Sequence, residues 1–143
     1  MLTRIRRALV GLTAVLGLLA ASSAMAEVRI DITRGNMKPL PIAIPELFGA
    51  QPADQQAGRD IARVVAADLE RSGLFKPVDP RAFIQTAASL QAGPRFADWR
   101  QINAEALVSG KVEIVGDGDL MIEFRLWDVF SETQMIGTRY NIA

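Results

Sequence analysis

The chain has 143 residues, of which 16 are basic and 16 acidic, and it contains no histidine and no cysteine. Because it lacks the usual general base near neutral pH, the thiolate nucleophile and the common zinc ligands, we expect neither an enzyme nor a metal or cofactor site. The remaining enzyme alternative is a pair of carboxylates across a cleft, which is all that a glycosidase requires.

The N-terminus has the three parts of a secretory signal peptide. Three arginines lie within residues 4–7, an apolar run follows over residues 8–21, and small residues stand at Ala24 and Ala26. Signal peptidase requires short side chains at those two positions, so we predict cleavage after about Ala26 and a periplasmic location. An uncleaved membrane anchor is the alternative, but the run is shorter than the roughly 18–20 residues that cross a bilayer.

Residues 27–143 are sufficient for one domain with a hydrophobic core. Because the three arginines of the signal peptide are removed, 13 basic and 16 acidic residues remain, and the net charge is −3. A mildly acidic chain without a basic stripe does not favour nucleic-acid binding, and no cysteine follows the apolar run to carry a lipid. We therefore expect no nucleic-acid partner and no membrane insertion after cleavage.

Two strands are predicted before the first helix. Val28, Ile30 and Ile32 alternate with polar residues, which is the period-two pattern of a strand with one solvent-facing side. Residues 40–44 are also apolar, but prolines flank and interrupt them. Because proline cannot donate to a sheet on either side, we predict a short or irregular strand there.

Residues 54–72 are predicted to form the main helix. Asp54 is the predicted N-cap, and Gly73 stands where a left-handed residue ends a helix, with Leu74 able to close over Leu69 as in a Schellman motif. The apolar stripe expected to face the core consists of Ile61, Val64, Val65 and Leu69.

Short elements follow the main helix. Residues 74–78 are predicted as a strand, and Asp79 as the N-cap of a short helix with Pro80 at its first position. Residues 86–94 are small and polar, which favours a loop. A helical turn comes next, and its apolar residues are interpreted as a core stripe rather than a ligand platform. They are Phe96, Trp99 and Ile102.

The last third of the chain alternates between apolar and polar residues and predicts an antiparallel meander. Its first hairpin joins residues 106–114 to residues 120–126 through a Gly-Asp-Gly-Asp turn, where glycine tolerates the positive φ angles of a tight turn. A calcium loop is the alternative for that turn, but the further acidic ligands of such a loop are missing. A second turn at residues 131–133 leads to a strand over residues 135–142.

Together these elements predict an α+β fold, with a mixed β-sheet of about five strands and one main helix and short helices packed on it. One long helix covers only part of such a sheet. We therefore expect the domain to be incomplete at its C-terminal end.

Four stretches resemble the amino-terminal domain of the TolB family, the periplasmic proteins of the Tol-Pal system. They are EVRIDITRG from Glu27, IAIPELFG from Ile42, VVAADLERSGLFKPVD from Val64 and ADWRQINAEALVSGKVEIV from Ala97. The resemblance implies a TolB N-terminal α/β domain over residues 27–143. In the family this domain continues into a further helix and a six-bladed β-propeller that holds Pal, and we expect this chain to lack both. A role in outer-membrane integrity and in membrane invagination during cell division is implied as well.

For the start of the mature chain, the resemblance implies contact with TolA, the inner-membrane component that spans the periplasm. The residues are Glu27, Val28, Arg29, Ile30, Asp31, Ile32, Thr33 and Arg34. A short alternating strand near a terminus can pair with another protein's sheet edge, where main-chain hydrogen bonds supply affinity and alternate side chains supply specificity.

Two alternatives remain open. The segment over residues 27–34 can be the domain's own edge strand, with no partner. The chain as a whole can be another periplasmic or outer-membrane assembly module of similar α/β fold.

Overall fold

A computed structural model describes residues 38–143, so the predicted signal peptide and first strand lie outside the described residues. The described residues form a five-stranded mixed sheet in the order β2-β1-β3-β4-β5. The strands are β1 Leu40–Ala43, β2 Phe75–Pro77, β3 Ala106–Val115, β4 Asp119–Asp128 and β5 Thr133–Ile142. The helices are α1 Pro52–Arg71, a 3-10 helix Pro80–Ala82, α2 Ala87–Leu90 and α3 Phe96–Gln101.

Strands β2, β1 and β3 run parallel, and β3, β4 and β5 form an antiparallel meander. The predicted fold class, a mixed sheet with one main helix and short helices packed on it, is confirmed.

Strand β1 lies between two neighbours although it contains Pro41. The amide of Leu40 donates to the carbonyl of Leu74 on the β2 side, and the carbonyl of Pro41 accepts from the amide of Glu105 on the β3 side. The nitrogen of Pro41 therefore faces β3. The pairing with β3 begins only at the next residue, where Ile42 lies opposite Ala106. No ladder hydrogen bond is lost, and this is why a proline is tolerated in a central strand.

Helix α1 begins two residues earlier than predicted, and Asp54 is not its N-cap. Gln51 occupies the N-cap position and Pro52 the first turn, where the fixed φ of proline suits the helix. The buried carboxylate of Asp54 accepts from the amide of Gln51 at 3.1 Å and from the amide of Ile114 at 2.9 Å. Asp54 thus joins the start of α1 to the end of β3.

The C-terminal end of α1 confirms the predicted left-handed glycine, since Gly73 has a φ of 74° and its amide donates to the carbonyl of Glu70 at 3.0 Å. The Ser72 hydroxyl donates to the carbonyl of Leu69 and accepts from the amide of Leu74. This hydroxyl replaces the direct main-chain bond between Leu69 and Leu74 in a Schellman motif. The Leu74 side chain remains 54% exposed, so it does not seal the helix end as expected.

The stripe that α1 turns toward the sheet differs from the predicted one at Val64, which is 60% exposed. Gly58 and Ala62 are buried instead, and Ile61, Val65 and Leu69 pack at the edges of the contact. A side chain on Gly58 would meet the carbonyl oxygen of Leu47. Small residues therefore let α1 approach the loop after β1 closely, and this rotates Val64 to the outside.

Hydrophobic layers lie on both faces of the sheet, because successive strand residues point to opposite faces. On the α1 face, Ile42 and Val108 pack with Ala62. Nearer the N-terminal end of α1, Val112 packs with Leu47. The opposite layer consists of Ala43, Leu90, Trp99, Ala104, Leu107 and Val129. The prediction that Trp99 faces the core is confirmed, and Phe96 and Ile102 pack against the same layer.

The loop predicted over residues 86–94 is wrong in part, because α2 lies within it. Thr86 caps this helix, with its hydroxyl accepting from the amide of Ser89, and Leu90 is buried in the layer around Trp99. The side chain of Gln85 holds the segment: its Nε2 donates to the carbonyl of Gly93, and its Oε1 accepts from Trp99 Nε1 at 3.0 Å. The small and polar residues of this segment therefore gave no helix signal, because tertiary contacts stabilise α2.

The predicted hairpins are confirmed, and both strands of the first are ten residues long. Gly116 and Gly118 have φ angles of 55° and 114°, as the tight turn between β3 and β4 requires. At the second turn, the carbonyl of Val129 accepts from Arg100, whose guanidinium also pairs with Glu132 at 2.7 Å. This ties the β4–β5 turn to α3.

Candidate interaction site

The residues predicted to contact TolA, from Glu27 to Arg34, lie outside the described residues, and the described chain enters the sheet through Lys38 and Pro39. Strand β1 follows at once and is hydrogen-bonded on both sides. Strand β1 therefore has no free edge. The two sheet edges within residues 38–143 are the three-residue strand β2 and the strand β5.

Strand β5 is the long sheet edge of the described region. Its main contacts are with β4 alone among the described elements, and Ile136, Tyr140 and Ile142 are each about half exposed, at 55%, 52% and 51%. Exposed apolar side chains on an unpaired edge are typical of a surface that another element or another protein covers.

An open apolar groove of about 450 Å³ lies between α1 and β5. Val65 and Leu69 of α1 form one wall, and Ile136, Thr138 and Tyr140 of β5 form the other. Its floor comes from the sheet, through Ile42, Phe75, Val108, Phe124 and Leu126. Within residues 38–143, the groove exists because α1 packs on β2, β1 and β3, and no described helix covers the same face of β4 and β5.

A second cleft, of about 530 Å³, lies beyond the carboxyl ends of β1 and β2. Ile44, Pro45 and Glu46 follow β1 into it, and Pro80 and Phe83 follow β2. Arg59 and Arg63 reach it from α1. The periodicity of α1 indicated only that these arginines lie off the apolar stripe, and no pattern in the sequence indicated that they border a cleft.

Glu123, on the face of the sheet opposite α1, is held by two ion pairs. Hydrogen bonding from Arg139 holds the pKa of Glu123 below its ordinary value, and Lys111, 3.8 Å from the same carboxylate, acts in the same direction. On the loop after β2, the Arg81 guanidinium and then the Arg81 amide lower the pKa of Asp79 to about 2. These carboxylates are ordinary ion-pair partners rather than proton donors near neutral pH.

Within residues 38–143, acidic residues do not come together in threes at a distance that could hold a metal ion. In the same range, α1 is long but too polar to cross a bilayer, and the other helices are too short.

A sequence profile of the TolB amino-terminal domain matches residues 28–135. The chain belongs to this family. The match begins inside the predicted TolA segment, so seven of its eight residues, from Val28 to Arg34, fall within the TolB amino-terminal domain.

A relative named Tol-Pal system protein TolB, from Paramagnetospirillum magneticum, is 70% identical over 123 residues. These residues are 86% of this chain but only 28% of the relative, so the chain spans little more than a quarter of the length of that TolB protein.

Solved structures share the fold of this TolB-family domain at low sequence identity. A crystal structure of TolB from Acinetobacter baumannii matches 73% of the chain and 23% of that protein, with 20% identity and a TM-score of 0.57. Lipoprotein GNA1162 from Neisseria meningitidis matches 73% of the chain and 80% of that protein, with 17% identity and a TM-score of 0.59. The C-terminal domain of LpoB from Escherichia coli matches 77% of the chain and 87% of that domain, with 10% identity and a TM-score of 0.51.

Proposed function

We propose that this chain is the amino-terminal part of a periplasmic TolB protein and that it binds TolA through Glu27–Arg34, without catalysis. The observation that carries the proposal is the family match over residues 28–135, joined to 70% identity with a Tol-Pal system protein TolB. In this proposal residues 1–26 are a signal peptide removed on export, and residues 27–143 are the interaction domain.

The way the described domain is built supports the availability of the N-terminal segment. Residues 38–143 by themselves supply a five-stranded sheet and a hydrophobic layer on each of its faces. Because β1 already has partners on both sides, its ladder requires nothing from residues 27–34. A segment outside that ladder can pair with a partner's sheet edge, which is the binding mode we propose for residues 27–34.

The alternation in the segment assigns different roles to its side chains. When the segment pairs with TolA as an extended strand, Val28, Ile30 and Ile32 would lie on one side and fill apolar pockets of TolA. Arg29, Asp31 and Thr33 would lie on the other side and remain solvated. In the whole protein, we expect Pal to bind a β-propeller outside this chain and the complex to support outer-membrane integrity and invagination during division.

The test is a calorimetric titration of the TolA C-terminal domain with a chain that begins at Glu27 and with one that begins at Pro39. The longer chain should bind and the shorter should not. A double substitution, Ile30→Asp with Ile32→Asp, should weaken binding at least about a hundredfold, because a buried aliphatic side chain contributes about 1.5–3 kcal/mol. The matched control, Arg29→Ser with Asp31→Ser, should change the affinity by less than about tenfold.

Equal binding by the two lengths of chain would reject the assignment of residues 27–34. Loss of affinity in the control variant alone would place the contact on the polar side of the strand. If neither length binds TolA, the chain is better described as another envelope assembly module, since the same fold occurs in lipoprotein GNA1162 and in LpoB.

A further inference from the structure

The cleft beyond β1 and β2 lies at the point where the chain's connections leave the sheet in opposite directions. From β1 the chain crosses to β2 through α1 on one face. From β2 it crosses to β3 through the short helices on the other face, where Trp99 and Leu90 pack on Leu107. In open sheets with parallel strands, ligands bind in the crevice outside the carboxyl ends of the strands at such a switch point.

The floor of the cleft is apolar and preformed. Ile44 and Ala62 are at most 7% exposed, and Phe83 is held by an edge-to-face contact with Trp99 at 5.3 Å between ring centroids. Gln85, also part of the lining, is buried with its amide fully engaged in the loop around α2. An apolar floor fixed by the core suits an aliphatic side chain of a ligand.

The rim carries donors and an acceptor. Arg59 and Arg63 stand one turn apart on α1, and Glu46 follows β1, so the charged lining residues sum to +1. The guanidinium of Arg59 is bonded to Gln56, and that of Arg63 is paired with Asp60 at 3.0 Å, with both partners exposed. Exposed pairs of this kind contribute little to stability, so a ligand carboxylate can replace them.

We propose that this cleft binds a short peptide segment in which a carboxylate neighbours an aliphatic side chain. The carboxylate accepts from the forked donors of Arg59 and Arg63, the aliphatic group covers Ile44 and Phe83, and peptide amides donate to Glu46. A peptide supplies all three groups. Inorganic phosphate would leave the floor in water, and a fatty acid has no N–H donors for Glu46. This proposal does not rest on residues 27–34 or on TolA.

The test is a two-dimensional amide NMR titration of the full chain with the peptide acetyl-Leu-Glu-Leu-amide. Saturable shifts are expected at Ala62, Phe83 and Ala87, which line the cleft. The double variant Arg59→Gln with Arg63→Gln should bind about tenfold more weakly, the effect of losing two solvent-exposed charge contacts. Arg71→Gln is the matched control, because Arg71 is on the same helix and pairs with Asp68 just as Arg63 pairs with Asp60, but lies outside the cleft.

Three further probes decide the ligand class. Acetyl-Leu-Gln-Leu-amide, inorganic phosphate and decanoate should each bind at least about tenfold more weakly than the glutamate peptide. Equal binding by the glutamine peptide would show that the cleft does not recognise a carboxylate. Equal binding by phosphate or decanoate would show that the ligand need not be a peptide. Shifts that are spread over the surface, or that Arg71→Gln weakens as much as the double variant does, would overturn the site itself. A thermal melt of each variant confirms that folding is unchanged.

Discussion

The two halves of the sheet differ in how their faces are covered. In the parallel half, β1 and the start of β3 have α1 on one face and the layer around Trp99 on the other, so Ala43 and Leu107 are completely buried. In the antiparallel half, β5 contacts mainly β4, and its apolar residues remain about half exposed. Parallel strands usually require cover on both faces, whereas antiparallel strands tolerate one solvated face.

This difference indicates that the two halves of the sheet have different roles, one in stability and the other in recognition. Most of the fully buried side chains lie in the parallel half and in the layers that cover it, so substitutions there should unfold the domain. The antiparallel half contributes an exposed edge and an apolar groove, so substitutions there should change contacts with other elements or proteins more than stability.

Replacing Trp99 by alanine should lower the free energy of unfolding by about 4 kcal/mol. Trp99 is fully buried, contacts Phe83 edge to face and donates to Gln85 Oε1. Tyr140→Ala removes another large aromatic side chain, but from the 52% exposed surface of β5, and should lower the free energy by about 1 kcal/mol or less. Urea denaturation followed by tryptophan fluorescence and circular dichroism measures both. Equal losses would mean that the β5 face is covered in solution.

Replacing Asp54 by alanine should lower the free energy of unfolding by about 2 kcal/mol, because two backbone donors lose a buried carboxylate acceptor. Those donors are the amides of Gln51 and Ile114, so the change loosens α1 from the end of β3. The control is Asp60→Ala on the same helix, where the carboxylate is half exposed and pairs only with side chains. It should cost less than about 1 kcal/mol. If the two variants melt alike, the contact between Asp54 and Ile114 does not stabilise the domain.

Local patterns were sufficient to predict most of the regular elements within residues 38–143. The helix end at Gly73 and the hairpin through Gly116 and Gly118 depend on backbone angles that glycine adopts easily, so the signal lies in the residues themselves. The long strands β3, β4 and β5 were predictable for the same reason, since their alternation is visible along the chain.

Contacts between distant residues decided the predictions that were wrong. Asp54 was expected to be the N-cap of its own helix, but it stands three residues after the N-cap Gln51 and accepts from Ile114, 60 residues later. Helix α2 was hidden in a polar stretch because the bonds of Gln85 and the burial of Leu90 hold it. For the sites, only the resemblance to a family pointed to residues 27–34. The cleft bordered by Arg59 and Arg63 arises from three separate segments and leaves no pattern in the sequence.

The smallest expected effect concerns Asp79, which caps the 3-10 helix on the surface of the parallel half. Hydrogen bonds from Arg81 lower the pKa of Asp79 from 3.8 to about 2, so folding favours the ionised carboxylate. Its contribution to stability is therefore complete above about pH 4 and is lost as the pH falls toward 2. Asp79→Asn should melt slightly below the unsubstituted chain at pH 7, and the two should converge near pH 2. The measurement is the difference in melting temperature between the two proteins at each pH. A difference in melting temperature that stays constant from pH 7 to pH 2 would show that the charge of Asp79 does not contribute to stability through Arg81.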